Sequence, residues 1–172
     1  MKITSIISTT CLLVLVSTIS LANLPKKVHN SKIDTNNAYA LSLLPEAQRI
    51  QSKFNIPPQI TIAIAIHETD NGRAVIGGNN HWGLKHVVGS PSQTRTTEFY
   101  NGNKVSLIDG FQTCPEINLC GDIFGRTFTN LLGEANLNLL TTDPDRAIRI
   151  VGQRYATDPK WADQVIKHKA QL

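Results

Sequence analysis

Glu68 stands at the end of an apolar run in which Ile60, Ile62, Ile64 and Ile66 alternate with Thr61, Ala63 and Ala65. A carboxyl group flanked this way is poorly solvated when charged, so its neutral, proton-donating form is favoured. That is the property a general acid needs. Beyond a turn at Asp70-Asn71-Gly72 comes a Gly77-Gly78-Asn79-Asn80-His81-Trp82-Gly83 cluster, suited to a wall that a polar ring-shaped ligand approaches. Asn79 and Asn80 either bond such a ligand or hold the backbone of a tight turn. Trp82 either stacks on the ligand or fills the core. His67 and His81 flank the glutamate, but the second histidine of a zinc-protease helix is missing. The five histidines are scattered, so neither a metal site nor a cofactor is expected.

The elements that must position these groups follow from the order of the chain. MKITSIISTTCLLVLVSTISLA, residues 1–22, has one cation (Lys2), an apolar stretch and small residues at its end, as an export signal does. Residues 23–43 read as a polar, flexible arm, and 44–172 as one catalytic domain. Ala47, Ile50 and Phe54 share one helical face, with Pro45 in the first turn. The alternation from Ile60 to Ile66 argues for a strand, whereas its apolar character all round argues for a buried helix; the two are closely balanced. Thr96–Tyr100 and Lys104–Ile108, separated by Asn101-Gly102, predict a β-hairpin. Phe124, Phe128, Leu131 and Leu132 keep helical spacing up to Gly133. Asp143-Pro144 and Asp158-Pro159 each have the form of a helix start.

Ala65, Glu68, Thr69 and Gly72, followed by Gly78-Asn79-Asn80-His81-Trp82-Gly83-Leu84-Lys85, resemble the two motifs of the glucosaminidase family that cleaves bacterial peptidoglycan. That family includes flagellar muramidase-type and autolysin domains. Tyr155-Ala156-Thr157-Asp158-Pro159 is similar to a third family signature, and Thr96 to Gly102 to a fourth. The likeness extends over roughly Leu44 to Lys169. It implies a helix ending near Glu68 and an α+β fold, predominantly helical and lysozyme-like, with a small β-hairpin lobe. Cys114 departs from the pattern, standing where the family usually has an aromatic residue.

Glycosidic cleavage requires a proton on the leaving oxygen, and most glycosidases add a second carboxylate. The resemblance implies Glu68 as the acid and Glu98 as the second group, with Asp70 and Asp109 as weaker options. Read as a residue alone, Glu98 is equally an exposed hairpin charge. Tyr155 matches the tyrosine that faces the catalytic glutamate. Thr157 and Asp158 are expected to cap a helix. In an exported chain, Cys114 and Cys120 are expected to form a disulfide, since they are the pair left after residue 22.

The expected activity is an endo-β-N-acetylglucosaminidase acting on peptidoglycan glycan strands. The alternatives are a lytic transglycosylase of the same fold and a non-catalytic wall-binding module. The expected protein is a monomer, secreted or periplasmic, with no stable membrane insertion after signal cleavage. A net charge of +4 favours anionic polymers. No cluster of Lys and Arg with interleaved aromatics points to nucleic acid.

Overall fold

The structure is a computed structural model describing residues 33–100 and 102–172. The proposed export signal and residues 23–32 of the arm lie outside the described residues.

Six helices and one antiparallel hairpin make up the described chain: α1 (Ala38–Phe54), α2 (Pro58–Glu68), β1 (Ser92–Tyr100), β2 (Asn103–Phe111), α3 (Ile117–Leu132), α4 (Leu139–Thr142), α5 (Pro144–Tyr155) and α6 (Trp161–Lys169). Helix α2 packs against α1 and α6, α3 against α1 and α5, and α5 against α6. The run that alternates in sequence is a helix. Ile60, Ile62, Ala63, Ile64 and Ala65 are all fully buried, so α2 has no solvent face and no hydrophobic period to display. Pro57 and Pro58 start it without a side-chain cap, since proline in the first turn has no amide needing a partner.

Helix α1 begins seven residues earlier than Pro45 would suggest, which corrects the boundary of the arm. Asn37 accepts hydrogen bonds from the Tyr39 and Ala40 amides, and Ala40 and Leu43 extend the buried stripe of Ala47, Ile50 and Phe54. Burial of that stripe outweighs the hydrogen bond lost at the interior Pro45. The first described residues are tied to the last ones, with Asp34 N–H donating to Leu172 O at 2.6 Å.

The hairpin pairs Glu98 with Val105 and Arg95 with Ile108, turning at Gly102. Cys114 and Cys120 form a disulfide that joins the segment after β2 to the first turn of α3. Helix α5 has the expected cap, Asp143 accepting from Arg146 N–H at 3.0 Å. Helix α6 starts at Trp161, with Asp158 bonding the Lys160 amide in the turn before it. None of the described helices is long and apolar enough to cross a membrane.

Candidate active site

Glu68 is the last residue of α2, and two separate stretches lie against its carboxyl group. Trp161, the first residue of α6, donates its indole N–H to Glu68 Oε1 at 2.7 Å. Gly83 lies so close that a Cβ there would collide with Oε2. Its φ of 62° is also left-handed, so the position suits glycine twice over. Burial pushes the Glu68 carboxyl up to about 7, reinforced by the charge of Glu98 and opposed by the Trp161 bond and the charge of Lys85. A carboxyl group with that value is protonated in a substantial fraction near neutral pH and can donate.

Tyr155, at the end of α5, packs its ring against Trp161 with centroids 5.1 Å apart. Its hydroxyl donates to Trp82 O at 2.5 Å. Burial, and then the charge of Glu68, raise its pKa well above the ordinary value, so it stays neutral. The tyrosine thus fixes the backbone just before Gly83 rather than bonding the Glu68 carboxyl.

Glu98 on β1 has a side chain that is 13% exposed. Lys85 Nζ donates to its Oε1 at 2.7 Å, and Thr157 Oγ1 donates to its Oε2 at 2.5 Å. Burial opposes ionisation of Glu98, but the bonds from Lys85 and Thr157 prevail and hold its pKa below the ordinary value. Lys85 also pairs with Asp109 at 2.7 Å and lies over the Phe111 ring, 4.3 Å from its centroid. The two glutamates therefore have pKa values displaced in opposite directions, the pattern that separates an acid from a base.

Of the three candidate ligand contacts, the structure buries two. Trp82 is 1% exposed, stacked on Phe124 at 5.1 Å and donating to Thr61 O. It is a core residue without a free face for a ligand. Asn80 is equally buried, its amide donating to Leu84 O and Gln112 O while its oxygen accepts from Leu84 N–H. Asn79 donates to Cys114 O and Pro115 O, tying the glycine-rich loop to the disulfide segment. Both asparagines therefore serve the loop, the bland reading of their type. Thr157 does not cap a helix. It accepts from Phe99 N–H at 2.9 Å and bonds Glu98, so it joins the hairpin to the α5–α6 corner. Asp70 pairs with Arg73 on the surface, and no group of three or more His, Cys, Asp or Glu among the described residues is placed to hold a metal.

Sequence reasoning missed Trp161, which lies just beyond the helix start expected at Asp158-Pro159. The available signal was its indole N–H, which needs a partner once buried. It also gave Lys85 no role beyond its motif, because a lysine 13 residues from Glu98 reveals no pairing until the hairpin folds back.

A helical body with a short hairpin lobe, and an enclosed carboxyl at the end of the central helix, define a lysozyme-like α+β protein. The profile of the glucosaminidase family, described as mannosyl-glycoprotein endo-beta-N-acetylglucosaminidase, matches residues 44–172, and the chain belongs to that family. Among solved structures, it is similar to a mutant of a peptidoglycan hydrolase from Sphingomonas sp. A1, with a TM-score of 0.65 and 20% identity over 77% of this chain and 92% of that one. It is similar to an N-acetylmuramoyl-L-alanine amidase from Staphylococcus aureus, with a TM-score of 0.66 and 22% identity over 79% of this chain and 42% of that one. A C-terminally truncated glycoside hydrolase domain of Salmonella typhimurium FlgJ gives a TM-score of 0.59 and 20% identity, over 78% and 95% of the two chains. A search of curated protein sequences finds no match.

Proposed function

We propose that the chain is an exported peptidoglycan hydrolase that cleaves the glycan strand after N-acetylglucosamine, with Glu68 as general acid. The observation that carries this reading is the enclosed Glu68 carboxyl, raised to about 7 beside the ionised Glu98. Family membership and the names of the similar structures support the substrate class. The disulfide supports action in an oxidising compartment.

In the proposed reaction Glu68 gives its proton to the glycosidic oxygen as the bond to the anomeric carbon breaks. Glu98 either activates the water that attacks that carbon or stabilises the positive charge developing there. Tyr155 and Trp161 hold the acid and its wall in place. The amide bond cleaved by an amidase does not call for this pairing of one protonated and one ionised carboxyl group.

A second reading has a specific observation in its favour. Both oxygens of Glu98 are already engaged, by Lys85 and Thr157. A transglycosylase needs only one acid, because a hydroxyl of the sugar itself attacks and an anhydro end forms. Digestion of purified sacculi in H₂¹⁸O, followed by mass spectrometry, separates the two. The proposal expects a reducing N-acetylglucosamine end carrying one ¹⁸O. An anhydro end without ¹⁸O overturns hydrolysis.

A further inference from the structure

The turn after Glu68 is costly in itself. Asp70, Asn71 and Gly72 have φ values of 50°, 59° and 84°, a left-handed backbone that is unfavourable for the two non-glycine residues. Such a turn keeps its shape only where surrounding contacts over-determine it. Thr69, fully buried at its start, donates its hydroxyl to Ala65 O at 2.6 Å and accepts from Gly72 N–H at 2.8 Å. The other contacts come from the start of α1. Asn37 donates its side-chain amide to Asn71 Oδ1 at 2.7 Å. The Tyr39 ring lies flush against Gly72, leaving no room for a Cβ.

The Tyr39 hydroxyl makes two bonds, to the Thr69 hydroxyl at 3.0 Å and to His81 Nδ1 at 2.9 Å. Thr69 directly follows Glu68. His81 precedes Trp82, whose carbonyl receives Tyr155, and Trp82 precedes Gly83, which packs on the Glu68 carboxyl. One phenol therefore joins the two backbone segments that bound the acid, the end of α2 and the glycine-rich loop. Tyr39 lies outside the part of the chain matched to the family, which begins at residue 44.

We propose that Tyr39 is a positioning residue for Glu68, holding the Thr69 and His81 segments at the separation that keeps the carboxyl enclosed. This inference rests on the reading of Glu68 as the acid. Without the phenol oxygen the two segments separate slightly, water reaches the carboxyl, and the proton sits less favourably for transfer. Misplacement of a catalytic group by a fraction of an ångström to one ångström is enough to cost a large factor in rate.

The test is Tyr39→Phe in the full mature chain, which keeps the ring on Gly72 and removes only the bridging oxygen. The expected result is a kcat lower by about tenfold with little change in KM. The alkaline limb of the rate profile moves to lower pH, because better solvation eases the burial that raises the Glu68 pKa. Thr69→Val breaks the same bridge from the other side and carries the same readouts if Tyr39→Phe folds poorly. The double variant should be little worse than the more damaging single one. A normal kcat and an unmoved limb in both single variants, even with lower thermal stability, would show a purely structural tyrosine and overturn the inference. Additive losses in the double variant would equally overturn the shared bridge. Glu68→Gln at wild-type rate fails the reading of the acid instead, and so distinguishes the two failures.

Discussion

Trp161 and Glu68, 93 residues apart, meet through a 2.7 Å hydrogen bond from the indole N–H to the carboxyl group. The bond orients Glu68 Oε1 and favours its ionised form, so it moderates the effect of burial. Trp161→Phe removes the donor while keeping an aromatic ring. The Glu68 pKa then rises, and the alkaline limb of activity shifts to higher pH with a lower maximal rate. A pH–rate profile on soluble glycan fragments measures both.

Glu68→Gln should lower glycan cleavage by about 10²–10⁴-fold, the range for loss of general acid catalysis. Relative to this variant, the wild type has a pH-dependent stability. The Glu68 pKa is raised on folding from 4.5 to about 7, so the native state binds the extra proton between those values. Its contribution is fully present below pH 4.5 and is lost as the pH rises through about 7, amounting to about 3 kcal/mol at most. Glu68→Gln should therefore melt close to wild type at pH 4 and above it at pH 8. Parallel melting curves that keep a constant offset across this range would contradict the raised pKa.

Lys85 acts on both carboxyl groups with the same sign, lowering the pKa of each. Lys85→Met should shift the acid limb, set by Glu98, and the alkaline limb, set by Glu68, to higher pH together. Movement of the alkaline limb alone would show that Glu98 does not take part in catalysis. The measurement is the pH dependence of kcat/KM, which reports the free enzyme.

Gly83→Ala combines a left-handed backbone with a collision against Glu68. Strain of this kind costs roughly 1–3 kcal/mol, and the carboxyl must move. Activity should fall by about 10²-fold, with the melting temperature lowered by several degrees. Gly102→Ala, at an equally left-handed position with open space around it, should retain activity, and so separates backbone strain from disturbance of the acid.

Reduction of Cys114–Cys120 should cost roughly 2 kcal/mol, as expected for a short closed loop. Its effect should reach the glycine-rich loop, because Cys114 N–H donates to Gly77 O at 2.9 Å and Asn79 bonds Cys114 O. Thermal melts with and without reductant measure the loss. Alkylation of the unreduced protein should find both thiols blocked.

The sequence by itself determined the local starts and stops and pointed to the candidate acid. Asp143-Pro144 marks a helix start, Gly133 ends α3, and Asn101-Gly102 separates two β-favouring runs, each through short-range backbone constraints present in the residues themselves. Glu68 was legible because its apolar neighbours lie in the same segment. The start of α1 was not, since the polar Asn37 that caps it also read as part of an arm. Nor did periodicity distinguish strand from helix between Ile60 and Ile66, because a helix buried on every side has no polar face.

Tertiary structure alone decided what each remaining side chain meets. Trp82 went to the core because Phe124, 42 residues on, gives it a stacking partner. Lys85 was joined to Glu98 by the fold-back of the hairpin, and Trp161 was brought to Glu68 by the packing of α6 on α2. Tyr39, in the segment read from sequence as an arm, came to bridge both sides of the candidate acid. Sequence spacing carries no information about such pairs, because burial and hydrogen-bond satisfaction are properties of the packed chain.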